Sequence, residues 1–172
     1  MSKILTVSNK FFSLRGQIGI VDSSSKELLY VAKGKLFSFT SPWRIYNSQD
    51  VEVSKVRKLI FSFTKGWIIS GKLGDFTIKK KFWSWNRTYL VNGGKYNGAT
   101  IKGSFTDIRL EVTHNSKWII STEEHLFSMN QAHSLTVFED NVDDENFAAI
   151  LMVILMMDKK EEKEEDDYYY DD

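Results

Sequence analysis

The amino-acid sequence predicts a mainly β fold, a closed antiparallel barrel of about 12 strands around a central apolar C-terminal α-helix. Three observations lead to this prediction: a length of 172 residues, a serine-centred motif that recurs along the chain, and one long apolar run near the C-terminus. The length corresponds to a single domain that can bury a hydrophobic core. The absence of cysteine excludes a disulfide framework, a thiolate nucleophile and a zinc site with cysteine ligands.

The recurring motif is a serine between two large apolar residues. Its serines are Ser13, Ser38, Ser62, Ser84 and Ser128, at spacings of 25, 24, 22 and 44 residues. A short turn-like stretch follows each motif, and then an alternating pair: Ile18 and Ile20, Trp43 and Ile45, Trp67 and Ile69, Tyr89 and Val91, His133 and Leu135. Alternation with a period of two indicates a strand with one face distinct from the other. Each unit therefore predicts a β-hairpin.

The gap of 44 residues is twice 22 and predicts a sixth, eroded hairpin. Phe105, followed by Ile108, Leu110 and Val112, lies in that gap. Six hairpins predict about twelve strands, and no signature of a solenoid or propeller accompanies the repeat. A sheet that closes on itself has no exposed edges, but twelve strands enclose a lumen that their own side chains cannot fill.

The apolar run from Phe147 to Met157 predicts the helix that fills this lumen. Its 11 residues span roughly 16 Å as a helix, against the roughly 30 Å of a bilayer core. The run is apolar on every face, as in a helix that protein surrounds completely. The helix is predicted at about 143–158, with a central apolar set of Phe147, Ile150, Leu151, Ile154 and Leu155. The residues predicted at its ends are Asn141 or Asp143 as the cap, Asp143, Asp144 and Glu145 at the positive end of the helix dipole, and Lys159 and Lys160 at the negative end.

Charge is distributed unevenly along a chain whose formal net charge is zero. Residues 1–157 hold 20 basic and 14 acidic residues, whereas 158–172 hold 3 basic and 9 acidic residues. A run this rich in charge does not bury enough surface to fold alone. We therefore expect a folded domain at 1–157 and a disordered acidic tail at 159–172. One hypothesis is that the tail shields a basic barrel face from anions, and the alternative is a solubility tail.

The order of these motifs is similar to that of a known family. The repeated F-S-F hairpins, the segment KKFWSWNRTYLVNGG and the terminal LxVFED…ENFAAILMVILMMDKK resemble the LURP-one-related (YxjI-like) family over roughly residues 3–160. This family shares its fold with the tubby C-terminal domain and the phospholipid scramblases. The resemblance implies a twelve-stranded barrel around a C-terminal helix. Tubby-like domains bind phosphoinositides through basic surface residues, and the resemblance assigns none of those lipid-contacting roles to a particular residue of this chain. The palmitoylated cysteine-rich segment of the scramblases is also absent.

Catalytic and metal-binding patterns are weak in this sequence. The histidines, His114, His125 and His133, lack the spacing of metal ligands. His125 follows Glu123 and Glu124, which indicates a surface ion pair, and nothing marks a nucleophile or an orienting acid. Gly93, Gly94 and Gly98 are interpreted as turn residues rather than a phosphate cradle. We therefore expect no enzymatic activity, no cofactor and no metal.

Clustered basic residues give the main functional prediction. The candidate anion-binding or lipid-binding residues are Lys72, Lys79, Lys80, Lys81, Arg87, Lys33 and Lys35. Such clusters attract anionic head groups near a membrane or the phosphates of nucleic acid. The alternative is the solvated outer face of a barrel. Because consecutive strand residues alternate faces, at least one of Lys79, Lys80 and Lys81 has to point away from the other two unless a bulge intervenes.

The leading hypothesis is a soluble, non-enzymatic barrel that binds an anionic phospholipid or phosphoinositide surface or acts as an adaptor. The alternative is a protein-interaction module, indicated by an exposed apolar patch. An enzyme would need clustered acids or histidines in a cleft, and scrambling would need an apolar helix outside the barrel. The expected partners are an anionic lipid surface or a protein, with no nucleic acid. The expected location is the cytoplasm, with peripheral membrane contact.

Overall fold

The barrel and its helix are seen in a computed structural model that describes residues 2–13, 16–34, 41–60, 65–81, 88–104, 109–122 and 134–169, with the backbone alone at 9–13, 104, 109 and 158–169. Twelve strands are described: β1 Lys3–Ser13, β2 Gln17–Asp22, β3 Leu28–Lys33, β4 Trp43–Asn47, β5 Glu52–Lys58, β6 Gly66–Gly71, β7 Phe76–Lys80, β8 Thr88–Gly93, β9 Thr100–Ser104, β10 Arg109–His114, β11 Lys117–Thr122 and β12 Ser134–Val137. Each strand pairs with its chain neighbours, and β12 returns to β1 to close the barrel. The pairings are antiparallel throughout, so the predicted fold class is confirmed.

The six predicted hairpins correspond to the pairs β1–β2, β3–β4, β5–β6, β7–β8, β9–β10 and β11–β12. The alternating residues that the repeat identified are buried: Ile18, Ile20, Trp43, Ile45, Trp67, Ile69, Tyr89, Val91, Leu110, Val112 and Leu135. They therefore form the inner face of the wall, which the repeat by itself left undecided. Ser13, the serine of the first motif, is the last residue of β1. Ser38, Ser62, Ser84, Phe105, Ile108, Ser128, His125 and His133 are outside the described residues.

The helix α1, Val142–Tyr169, begins in the barrel and passes through it. Every residue from Phe147 to Leu155 is fully buried, including the five predicted as its central apolar set. Its residues contact β1, β4, β5, β11 and β12. A helix with no exposed side over this length is surrounded by the wall, which explains why the sequence is apolar on every face.

The C-terminal part of α1 differs from the sequence prediction. The helix continues to Tyr169 instead of ending near 158, so Lys159 and Lys160 are not in its last turn, which holds no basic residue. The backbone is therefore helical over most of the segment that we expected to be a disordered tail. A physical reason is that propagating a helix from a segment already held in the barrel avoids the cost of nucleation, and Glu and Lys are good helix formers.

The direction of α1 distinguishes two ends of the barrel. The helix-start end carries the beginning of α1, the first residue of β1 and the turns β2–β3, β4–β5, β6–β7, β8–β9 and β10–β11. The opposite end is the helix-exit end, where Met156 and Met157 become partly exposed.

The β8–β9 turn at the helix-start end depends on glycine. Gly93, Gly94 and Gly98 have φ angles of 96°, 61° and 83°, which confirms their interpretation as turn residues. A Cβ atom on Gly94 would lie 2.7 Å from the carbonyl oxygen of Leu73. This close approach packs the β6–β7 and β8–β9 turns together and brings Tyr96 to the start of α1.

Candidate functional site

The predicted lysines Lys79, Lys80 and Lys81, at and just after the end of β7, lie at the helix-exit end of the wall. Phe76 and Ile78 are buried inside the barrel, so Lys79 belongs to the outer face. The backbone N–H of Lys81 donates to the carbonyl of Thr88 at 2.8 Å, which keeps Lys81 in register with β8. Lys79 and Lys81 therefore share the outer face. Lys80 has the parity of the inner face but is exposed at the rim, as alternation requires of one of the three.

A fourth lysine, Lys102, joins them from β9. Thr88 pairs with Lys102 on one side and with Lys81 on the other, so the two lysines occupy one row of the outer face. They lie two strands apart, a separation of about 10 Å along the wall, and Lys79 lies about 7 Å from Lys81 along β7. We call Lys79, Lys81 and Lys102 the exit-end lysine patch. Sequence reasoning missed Lys102 because its proximity to β7 depends on the register of β8 with β9.

The ammonium groups of this patch have no carboxylate partner within 4.0 Å among the residues that the structure describes. Glu111 stands opposite Lys102 on β10 and marks the edge of the patch. Two basic side chains of β4 and β5 show the contrasting arrangement, in which a lysine or arginine is paired with an acid. Arg44 donates to Glu52 at 2.8 Å, and Lys55 lies 3.2 Å from the same carboxylate. The hydrogen bond from Arg44 holds the pKa of Glu52 below its usual value, and Lys55 adds to this effect.

The other predicted basic residues do not join the patch. Lys33 lies on β3, and three strands separate β3 from β7. Its Nζ atom is 3.6 Å from Asp50 and 4.6 Å from the centre of the Tyr46 ring, so its charge is already engaged. Lys72 is exposed in the β6–β7 turn at the helix-start end, opposite the lysines of β7. The predicted cluster is therefore only partly assembled, and Lys35 and Arg87 lie outside the described residues.

The helix-start end holds a different kind of polar cluster, in which four consecutive residues of α1 each have a partner on the barrel. Asn141 caps the helix, because its Oδ1 accepts from the backbone N–H of Asp143 at 3.0 Å. Asn141 is therefore the cap, one of the two residues that the sequence allowed. The wall partners of α1 are Lys95 for Asp143, Tyr96 for Asp144, Lys3 for Glu145 and Ser54 for Asn146. We call these four pairs the helix anchor.

The helix anchor is largely shielded from water. Asp144, Glu145 and Asn146 are each no more than 6 % exposed. Lys3 donates to both carboxylate oxygens of Glu145, at 3.1 and 3.0 Å. Burial of charged groups is unfavourable unless they are paired, so these contacts fix the position of the helix along the barrel.

Two buried tyrosines lie near the acidic side chains at the start of α1, and the pKa of each is raised. Burial raises the pKa of Tyr96, and its hydrogen bond to Asp144 raises it further. The Tyr96 ring also stacks on Phe147 at a centroid distance of 4.5 Å and meets His114 edge to face at 5.4 Å. Burial likewise raises the pKa of Tyr30, with smaller contributions from the charges of Glu145 and Asp143. Both phenols therefore stay protonated at neutral pH and act as structural groups.

An open groove of about 480 Å³ lies beside the start of β1, lined by Ser2, Lys3, Ile4, Asp22, Ser23, Ser24 and Asp140. Asp22 accepts hydrogen bonds from the hydroxyl and the backbone N–H of Ser24, and the hydroxyl contact lowers the pKa of Asp22.

In the part of the chain that the structure describes, no three His, Asp or Glu side chains gather as metal ligands would. The same described residues include no helix that is long and apolar enough to span a bilayer.

Comparison with known proteins places this fold. The X-ray structure of a protein from Arabidopsis thaliana superposes with a TM-score of 0.60 at 18 % identity, covering 90 % of this chain and 89 % of that one. At this level of identity the likeness concerns the fold alone. No curated protein is detectably similar to the chain in sequence. The family model described as LURP-one-related matches residues 3–156, which include the whole barrel and the buried part of α1. The chain therefore belongs to the LURP-one-related family.

Proposed function

We propose that this barrel is a non-enzymatic binding module that docks on an anionic phospholipid surface through the exit-end lysine patch. The observation that carries the proposal is that Lys79, Lys81 and Lys102 are exposed on one outer face without an acidic partner among the described residues. A lysine engaged by a carboxylate has less charge to offer to a head group, whereas an unpaired one keeps its full attraction. Three lysines whose backbone positions lie within about 12 Å of one another suit a surface of closely spaced negative charges.

The size of the expected attraction follows from the number of lysines. A basic residue near an anionic membrane contributes about 1 kcal/mol, so three contribute about 3 kcal/mol, or roughly a hundredfold in affinity. Such an interaction is peripheral and salt-sensitive. It needs no membrane-spanning segment, which agrees with a helix whose apolar residues lie inside the barrel. For the same reason, lipid scrambling by α1 is not part of the proposal.

Co-sedimentation with vesicles tests this function. The vesicles contain phosphatidylcholine alone, or with phosphatidylserine or a phosphoinositide, at about 0.1 M salt, where charges farther apart than about 10 Å are largely screened. The test variant combines Lys79→Gln, Lys81→Gln and Lys102→Gln. The matched control combines Lys26→Gln, Lys72→Gln and Lys117→Gln, which removes the same charge from exposed lysines of the helix-start end.

The wild-type protein is expected to bind anionic vesicles and not neutral ones. The test variant should lose most of this binding, and the control should keep most of it. Equal binding of wild type to neutral and anionic vesicles would remove the lipid function. Equal loss in both variants would show that total charge, and not this patch, is responsible.

A second candidate is a protein-interaction module at the helix-start end. The large apolar side chains exposed among the described residues are Val51, Ile60, Trp118, Phe138 and Val142, and four of these five belong to that end. Val142 is 72 % exposed and Trp118 is 52 % exposed. Apolar exposure gathered at one place is typical of a protein contact. The vesicle experiment separates the two candidates, because a protein contact through Trp118 is insensitive to the lysine substitutions.

A further inference from the structure

We infer that the acidic extension of α1, residues 158–172, is an intramolecular regulator that weakens the attraction between the exit-end lysine patch and an anionic surface. The inference rests on the proposed function and concerns the regulation of the same site. It depends on the direction of the helix, the level of the lysines along the barrel axis and the charge of the extension.

The direction of α1 places the extension at the lysine end. The helix anchor joins Glu145 to Lys3 at the start of β1 and Asn146 to Ser54 near the start of β5. The ring of Phe147 lies 6.0 Å from that of Phe76, the first residue of β7. Since α1 and β7 both begin at this end, the last residues of β7 and the emerging part of α1 lie at the other end.

The lysines of β7 lie at about the level where the helix emerges. From Phe76 to Lys80 the strand rises about 13 Å, or about 10 Å along the axis at the usual tilt of barrel strands. From Phe147 the helix covers about 10 Å in seven residues, which brings it to Ile154, just before the partly exposed Met156. The helical backbone then continues to Tyr169, about 18 Å beyond Met157.

The charge of the extension opposes that of the patch. Residues 158–172 hold nine acidic and three basic residues, a net charge of −6. The wall surrounds the helix at about 10 Å, and lysine side chains on its outer face extend farther, so the ammonium groups of the patch lie on the order of 20 Å from the axis of α1. At that distance roughly half of the Coulomb interaction survives at 0.01 M salt and less than a tenth at 0.15 M. The extension therefore repels an anionic surface that approaches the patch, and low salt reveals this effect.

The contrast with the acids of the helix anchor supports this inference. Asp143 and Glu145 form ion pairs with Lys95 and Lys3, and the buried carboxylate of Asp144 accepts a hydrogen bond from Tyr96. The acids of the extension follow the point where the helix leaves the wall. Their sequence alternates short runs of acid with only three lysines, so most of their charge stays uncompensated within the extension.

The test uses two full-length variants that each remove four negative charges. The extension variant combines Glu161→Gln, Glu162→Gln, Glu164→Gln and Glu165→Gln, which preserves helix-forming side chains. The matched control combines Glu27→Gln, Asp75→Asn, Glu139→Gln and Asp140→Asn, all exposed at the helix-start end. Binding to phosphatidylserine vesicles is measured for both variants and wild type at low and physiological salt. Circular dichroism checks that the helix content is retained.

The extension variant is expected to bind anionic vesicles on the order of five to ten times more tightly than wild type at 0.01 M salt. At 0.15 M the gain should fall below about twofold, and the control should gain no more than about twofold at either salt. An unchanged affinity of the extension variant at low salt would overturn the inference while leaving the proposed function intact. An equal gain in the control would overturn it as well, because net charge alone would then be responsible. If no protein binds at either salt, the proposed function fails and this inference fails with it.

Discussion

The two ends of the barrel use charged side chains in different ways. At the helix-start end, Glu145 and Asp144 are buried and each has a partner on the wall. At the helix-exit end, Lys79, Lys81 and Lys102 are exposed without an acidic partner among the described residues. In the first arrangement the charged and polar contacts hold the helix in position. The second leaves its charge available to another molecule, which is why the proposed binding surface is at that end.

The largest expected effect concerns the helix between the two ends. Leu151→Asp or Ile154→Asp places an unpaired carboxylate at a fully buried position, so we expect the protein to lose its fold and solubility. Val142→Asp is the control, because Val142 is exposed on the same helix. Expression, gel filtration and near-ultraviolet circular dichroism measure the outcome. A folded, soluble Leu151→Asp protein would contradict the placement of α1 inside the barrel.

The next largest effect concerns the contribution of the Lys3–Glu145 ion pair to the stability of the fold. Glu145→Ala leaves Lys3 without its partner at a site that is only partly open to water, and we expect a loss of about 2–3 kcal/mol in unfolding free energy. Glu52→Ala removes the exposed pair with Arg44 and should shift Tm by no more than about 3 °C. Urea unfolding and thermal scans compare the two. Similar losses in both variants would remove the distinction between an anchoring pair and a surface pair.

A smaller effect involves Tyr96 and carries a pH dependence. Tyr96→Phe removes the hydrogen bond to the buried carboxylate of Asp144, which is expected to lower stability by about 1–2 kcal/mol. Because burial raises the pKa of Tyr96, the folded protein keeps this phenol protonated at a pH where tyrosine in the unfolded chain, with a pKa of about 10, is ionised. The stabilisation is therefore complete below about pH 10 and declines as the pH rises above it.

Thermal unfolding between pH 8 and pH 11 measures this dependence. Wild type should lose stability above about pH 10 more steeply than Tyr96→Phe, since the variant lacks the shifted group. Tyr30 is present in both proteins, so its own raised pKa contributes equally to each curve. Parallel curves for the two proteins would argue against a shifted Tyr96.

The smallest effect distinguishes a paired lysine from the unpaired ones. Lys33 contacts Asp50 and the Tyr46 ring on the exposed surface, and surface pairs contribute little to stability. We expect Lys33→Gln to change Tm by no more than about 2 °C and to leave binding to anionic vesicles close to that of wild type. Lys81→Gln, a single member of the patch, should weaken that binding by about fivefold. Equal weakening by both substitutions would show that pairing does not decide which lysines act.

The sequence was informative wherever a local pattern has one structural solution. Trp67 and Ile69, two residues apart after a turn, could share a strand face, and six such units could account for twelve strands. The apolar run beginning at Phe147 matched a buried helix, because its length and its lack of a polar face favoured burial inside protein over a membrane segment. The predicted end of α1 near residue 158 was wrong, since the helix continues to Tyr169. The preference of charged residues for solvent does not decide whether a helix that began earlier in the chain continues through them.

The candidate site was less accessible to such reasoning. Lys79 and Lys81 follow from alternation along one strand, but Lys102 joins them only through the register of β8 with its two neighbours. Lys72 is close to Lys79 in sequence and lies at the opposite end, because β7 carries the chain from one end of the wall to the other between them. The partners Lys95 and Tyr96 of the helix anchor lie more than forty residues from Asp143 and Asp144 in the chain, a separation that no local pattern spans.

The sequence by itself determined the number of hairpins, the presence of a fully buried helix and the excess of acid after it. These properties depend on the order of residue types over short distances, where backbone geometry leaves few choices. Only the tertiary structure decided which strand faces point inward, which lysines share an outer face and towards which end the helix leaves the barrel. Closure of the sheet fixes all three at once, because it brings β12 beside β1 and encloses the helix. The burial that drives closure is a property of the whole wall rather than of any one strand.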